Sequence, residues 1–151
     1  MPSQIQSLVI PTLKRLPHSI VIAQSPNDSG KTLAFLLPIL FRIDKNESLV
    51  DEKGEFAPQA LVLTSVKELC AQTYRVAKQF EAVFPDAQIN IGDPKNLVKS
   101  HVLICTPDNL LNLITKKMIN LSKLKIFAVD EADYVLTSGV VNKRFLSFLG
   151  Q

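Results

Sequence analysis

Short apolar runs and helix-period segments take turns along this chain, and that alternation is the strongest constraint on its fold. Ile20-Val21-Ile22-Ala23 has the length and β-branching of a buried strand, and the stretch after it, residues 25–30, is rich in turn formers. Residues 31–43 carry apolar side chains at helical spacing. Ala60-Leu61-Val62-Leu63 reads as a second strand, residues 66–84 as a helix, and residues 87–91 and 102–105 as further strands. Thr106-Pro107 opens another helix, with Thr as N-cap and Pro at the first helical position. Ile126-Phe127-Ala128-Val129 is the last clear strand and runs into Asp130. Strands alternating with helices build βαβ units, so the expectation is an α/β fold with a mostly parallel sheet and helices on both faces. Ligands of such sheets gather beyond the carboxyl ends of the strands. The polar segment 44–58, with Gly54 and Pro58, reads as a mobile surface loop.

A chain of 151 residues makes one domain with a real core, and its 46% hydrophobic and 21% charged residues exclude disorder. No apolar run reaches the roughly 20 residues that span a bilayer. Met1-Pro2-Ser3-Gln4 lacks the pattern of a secretion signal, so a soluble intracellular protein is expected. Cys70 and Cys105 stand far apart in apolar runs and read as buried thiols, not as a zinc or disulfide set. His18 and His101 are isolated and point to no metal. The net charge of +3 is scattered, which permits a polyanionic partner without arguing for one.

Gly30-Lys31-Thr32 follows an apolar run and opens a helix, which is where a P-loop stands. There, backbone N–H groups and the helix dipole cradle phosphates, Lys31 reaches the β/γ oxygens, and the Thr32 hydroxyl ligates Mg²⁺. The alternative is a plain helix start with a surface lysine. The loop reads Ser25-Pro26-Asn27-Asp28-Ser29-Gly30-Lys31-Thr32, with Ser25 in place of the pattern's first glycine. Downstream, Val129-Asp130-Glu131-Ala132-Asp133 sets carboxylates at the end of an apolar strand. As a Walker B pair, Asp130 holds Mg²⁺ through its shell and Glu131 orients or deprotonates the attacking water. The alternative is that Asp130 caps the next helix and Glu131 favours its dipole.

Asp130-Glu131-Ala132-Asp133 spells the motif of the DEAD-box RNA helicases, and the chain resembles their N-terminal, RecA-like P-loop lobe over essentially its whole length. Pro2-Ser3-Gln4-Ile5-Gln6 resembles the Q motif, in which Gln6 would read the adenine edge; Ser3 and Gln6 are also a capping box. Ser65-Val66-Lys67-Glu68-Leu69-Cys70 stands where the family has Pro-Thr-Arg-Glu-Leu-Ala, and Ser65 with Glu68 is again a capping box. Gly92 stands at a usual glycine pair, with Asp93 in the second place, and Thr106-Pro107-Asp108-Asn109-Leu110 resembles Thr-Pro-Gly-Arg-Leu. Ala23-Gln24-Ser25 and the strand into Asp130 are similar to the nuclear-pore mRNA-export branch.

The resemblance implies a single lobe over residues 1–151. It would bind ATP and Mg²⁺ through Gln6, Ser25, Asp28, Ser29, Gly30, Lys31 and Thr32, with Asp130 sharing the metal and Glu131 catalytic. Half of a single-stranded RNA backbone groove would come from Ser65, Lys67, Glu68, Gly92, Thr106, Pro107 and Asn109. Hydrolysis and unwinding would need a second lobe, so the isolated chain would be inactive or nearly so. mRNA-export factors are the expected protein partners, and nucleus or cytoplasm the expected compartment. Phe80 and Phe84 read as core rather than base-stacking residues, and Lys116, Lys117, Lys123 and Lys125 as a solvated face.

Three departures bear on these expectations. Asp28 stands where the family has glycine, so weaker nucleotide binding and an unusual backbone are expected. Lys67 and Asn109 replace two arginines, which bears on RNA affinity and its salt response. The Ser-Ala-Thr strand that the family places between the P-loop and Asp-Glu-Ala-Asp strands is missing, leaving two strand edges without a partner. A fragment, a diverged product, or a lobe completed by something else is therefore expected, with a non-hydrolysing nucleotide- or RNA-binding module as the alternative function.

Overall fold

The computed structural model describes residues 1–15, 20–26 and 28–137. The chain forms two compact units, Met1–Ile43 and Asp44–Gln151.

In the first unit, helix α1 spans Gln4–Arg15 and helix α2 spans Lys31–Arg42. Ile5, Val9 and Leu13 recur every four residues along one face of α1 and pack with Ala34 of α2. Each helix holds an internal proline, Pro11 and Pro38, and so forgoes one backbone bond. Helix α2 starts at Gly30, left-handed at φ 87°, with no side chain capping its first N–H groups. The strand expected at residues 20–23 is absent: no ladder forms, and Ile20 and Ile22 are each 93% exposed. A strand persists through hydrogen bonds to a neighbour, and among the described residues none pairs with this run. His18, like Asn27, lies outside the described residues.

The second unit is built on a parallel four-stranded sheet of order β2-β3-β1-β4, from β1 Ala60–Leu63, β2 Ile89–Ile91, β3 Val102–Cys105 and β4 Ile126–Val129. Leu61 sits in register with Leu103 on one side and Phe127 on the other. Strands β1 and β3 are buried throughout, as unbroken apolar runs in parallel sheets are, whereas β4 is half-exposed at the sheet edge. Leu61, Leu63, Leu103, Cys105, Leu110 and Leu113 form the centre of the core.

Helix α3, Lys67–Lys78, is shorter than the helical spacing over 66–84 suggests. Turns follow it, closed by Phe80 N–H to the Ala77 carbonyl and Phe84 N–H to the Phe80 carbonyl. Pro85 comes next and disfavours helix in the residue before it. Phe84 is buried and Phe80 half-buried. Helix α4, Pro107–Thr115, begins at the expected cap, and α5, Ala132–Thr137, follows the acidic motif.

Segment 44–58 is a folded turn tied to its surroundings. Val50 and Phe56 bridge, the Asp51 carboxylate accepts the Lys53 and Glu55 N–H groups, and the Asn120 side chain donates to Asp51 Oδ2 at 2.8 Å. Gln59 clamps Asp44, accepting its N–H and donating to its carbonyl. Lys123 and Lys125, expected on a solvated face, pair with Glu47 at 3.7 and 2.5 Å.

Candidate functional site

The loop ahead of α2 is a tight turn held by its own polar groups. Asp28 has φ 56° and Gly30 φ 87°, so the position of the missing family glycine takes a glycine-like backbone, as an aspartate can. Ser25 and Ser29 share a hydroxyl hydrogen bond of 2.6 Å, and the Lys31 ammonium donates to the Ser25 carbonyl at 3.0 Å. Lys31 thus reaches back across the loop, beside the uncapped N–H groups of α2. Thr32 follows it in the first turn. A cleft of about 300 Å³ in this unit is lined by Ser3, Ile5, Leu8, Gln24, Ser25 and Ser29 among others.

Gln6 joins Ser3 to this loop through both ends of its side-chain amide. Its Oε1 accepts the Ser3 N–H at 3.0 Å, and its Nε2 donates to the Gly30 carbonyl at 3.2 Å. The capping reading is therefore half realised, because Gln6 serves Ser3 while the buried Ser3 hydroxyl has no partner. A larger groove of about 340 Å³, lined by Ile10, Leu13, Lys14, Pro38, Phe41 and Arg42, contains none of the expected site residues.

In the second unit, the other expected residues cluster at the carboxyl ends of the strands. Ser65 follows β1, Gly92 follows β2, Thr106 and Pro107 follow β3, and Asp130 and Glu131 follow β4. Thr106 caps α4, its hydroxyl accepting the Asn109 N–H at 3.4 Å, and Pro107 is buried at the first helical position. The Asn109 side chain donates to the Gly92 carbonyl at 3.1 Å, which joins the turns after β2 and β3. Gly92 has a packing reason to be glycine: a Cβ there would stand 3.0 Å from Cys105 Cβ and 3.3 Å from Leu113 Cδ1. Lys67 and Glu68 are exposed in the first turn of α3.

The capping box expected from Ser65 and Glu68 does not form. Helix α3 starts one residue later, with Val66 as an extended N-cap and no side-chain cap bond. Ser65 instead donates its hydroxyl to Glu131 Oε2 at 2.6 Å, a charge-assisted bond. Glu131 is left-handed at φ 52°, and its N–H donates to Asp130 Oδ1 at 3.1 Å. Its carbonyl accepts the Val135 N–H at the start of α5. Nothing local in the sequence foretells a partner for Ser65 that lies 66 residues away.

Cys70 and Cys105 are free and buried, and burial pushes both thiols upward, away from the thiolate that a nucleophile needs. Among the described residues no group of three or more His, Cys, Asp and Glu side chains could hold a metal ion. No helix among them is long and apolar enough to cross a membrane.

The family model for the DEAD/DEAH box helicase matches residues 3–147. The ATP-dependent RNA helicase DBP5 of Kluyveromyces lactis is 34% identical over 143 residues, covering 89% of this chain and 28% of that protein. The chain therefore spans less than a third of that relative's length. Its structure is similar to that of S. cerevisiae Dbp5 bound to RNA and ADP BeF3, with TM-score 0.78 and 29% identity over 98% of this chain and 36% of that one. A variant of S. cerevisiae Dbp5 bound to Nup159, a Gle1 variant, IP6 and ADP matches with TM-score 0.79 and 32% identity over 93% of this chain and 36% of that one. These neighbours bear out the expected α/β, RecA-like architecture.

Proposed function

This chain belongs to the DEAD/DEAH box helicase family, and on that premise we propose that it is the ATP-binding lobe of an ATP-dependent RNA helicase. It binds ATP, contributes half of a groove for single-stranded RNA backbone, and needs a second lobe for hydrolysis and unwinding. The observation that carries this reading is the Lys31 ammonium held 3.0 Å from the Ser25 carbonyl beside an uncapped helix start. An ammonium resting on a neutral carbonyl is ready to exchange it for a phosphate oxygen, a stronger acceptor.

In this reading Ser25, Asp28, Ser29, Gly30, Lys31 and Thr32 surround the phosphates and Gln6 reads adenine. The hydroxyl of Thr32 and the carboxylate of Asp130 are each a hard oxygen of the kind that Mg²⁺ takes, directly or through water, and the cation would neutralise phosphate charge. Glu131 orients the attacking water. Ser65, Lys67, Glu68, Gly92, Thr106, Pro107 and Asn109 face RNA backbone, and the gathering of their segments beyond the carboxyl ends of the strands supports this. The relative solved with RNA and ADP BeF3 supports both ligands, and the one solved with Nup159 and a Gle1 variant supports protein partners beside RNA.

One observation favours a second reading, a binding module that does not hydrolyse ATP. Asp28 takes a glycine-like backbone while bringing a carboxylate to the loop. Calorimetric titration of the chain with ATP and with ADP, each with Mg²⁺, tests the first step. Saturable binding that disappears in Lys31→Ala is expected. Equal affinity in that variant would remove the P-loop assignment. In a two-lobe protein, Glu131→Gln should keep ATP binding and lose hydrolysis; turnover by neither form, with binding intact, would establish the second reading.

A further inference from the structure

The bond between Ser65 and Glu131 completes a set of constraints on one side chain. Strands β1 and β4 pair with Leu63 opposite Val129, and the Asp130 N–H donates to the Leu63 carbonyl at 2.8 Å. The ends of the two strands, where Ser65 and Glu131 stand, are therefore held at a fixed spacing. Glu131 occupies a left-handed conformation uncommon outside glycine, with φ 52°. Its N–H is bound to Asp130 Oδ1 at 3.1 Å and its carbonyl takes the Val135 N–H at 3.0 Å. The backbone is pinned on both sides, which leaves only the side-chain torsions free. The Ser65 hydroxyl takes up that freedom by binding Oε2 at 2.6 Å.

We propose that Ser65 is a positioning residue for Glu131, fixing its carboxylate through Oε2 so that Oε1 is the oxygen that orients the attacking water. This rests on the helicase reading of the chain. An ionised carboxylate accepts at both oxygens, so one can be anchored while the other works. A hydroxyl-to-carboxylate bond is charge-assisted and directional, which suits it to select one rotamer of a long side chain. The resembling motif has proline at this position, which offers no hydroxyl, so the device belongs to this chain's own sequence.

The contact is read first in the 151-residue chain, from the side-chain carboxyl ¹³C resonance of Glu131, identified by its loss in Glu131→Gln. Ser65→Ala should move that resonance and Ser65→Thr should leave it near the parent position. An unmoved resonance in Ser65→Ala overturns the proposal. Steady-state hydrolysis in the two-lobe protein then reads the consequence. Ser65→Ala should lower kcat about tenfold and leave KM for ATP within about twofold, since a lost orienting contact acts on the chemical step. Ser65→Thr should restore kcat, and Ser65→Ala should cost nothing further in a Glu131→Gln background. Parental kcat in Ser65→Ala, with Glu131→Gln inactive, overturns the positioning role and leaves the helicase reading standing. Parental turnover in Glu131→Gln removes Glu131 from its role and overturns this proposal, whereas no turnover in the parent overturns the helicase reading as well.

Discussion

Gln6 Nε2 donates to the Gly30 carbonyl at 3.2 Å, and a Cβ built on Gly30 would lie only 2.4 Å from that same nitrogen. A side chain on residue 30 would therefore displace the Gln6 amide from its bond to the turn ahead of α2. Gly30→Ala should push the Gln6 amide away and place alanine in a left-handed conformation, which costs about 1–2 kcal/mol. Thermal unfolding with and without ATP checks both effects. A lower Tm and a loss of ATP affinity are expected, and a variant equal to the parent in both would show that the loop closes some other way.

Charge and backbone conformation can be separated at Asp28. Glycine removes the carboxylate and suits φ 56°; asparagine removes the charge and still tolerates the left-handed region. If repulsion of phosphate governs, Asp28→Gly and Asp28→Asn should both bind ATP about tenfold more tightly, equivalent to about 1.4 kcal/mol. Calorimetry with ATP and Mg²⁺ reads the difference. Weaker binding in both would mean that the carboxylate is adapted to the loop.

These residues mark how far local sequence reaches. Residues 60–63, 102–105 and 126–129 are strands as their apolar runs suggest, because parallel strands announce burial without help from a neighbour. Residues 20–23 carry the same pattern and form none, since pairing is a property of two segments and the pattern describes one. The Thr106 cap is legible because cap and capped N–H lie three residues apart. The Ser65 box, read by the same rule, yields to Glu131, which proximity in sequence does not reveal. The strained backbone at Asp28 is legible from a missing glycine, whereas nothing comparable precedes Glu131.

Asn109 gives up an arginine's charge and spends its amide on the Gly92 carbonyl at 3.1 Å. Asn109→Arg should restore a phosphate contact, raising single-stranded RNA affinity and steepening the salt dependence by about one unit of log–log slope. Fluorescence anisotropy with labelled RNA at several salt concentrations measures both. The lost Gly92 bond should also lower stability by about 1 kcal/mol, read in urea unfolding. An unchanged salt slope would place residue 109 away from the RNA backbone.

His101 gives the second unit a pH dependence with a defined sign. It is 3% exposed, and its Nδ1 accepts the Gln88 N–H at 3.1 Å, which requires that nitrogen to be unprotonated. Burial, the largest influence, holds its pKa below the usual 6.5; a Lys45 backbone bond, Asp44 and Glu47 oppose the shift, and Lys125 adds to it. In the unfolded chain the imidazole protonates near about 6.5, and in the folded chain only at lower pH. Between those values the unfolded state binds the extra proton, so stability falls as pH drops below about 6.5 and is insensitive to this group above it. Carboxylates titrate lower, near about pH 4, which leaves a window where the histidine dominates. Urea midpoints at about pH 7.5 and about pH 5.5 should therefore differ in the parent and converge in His101→Asn, whose Oδ1 can take the Gln88 bond without titrating. A parent midpoint that stays level across this window would mean that His101 remains solvated and free to protonate in the folded state.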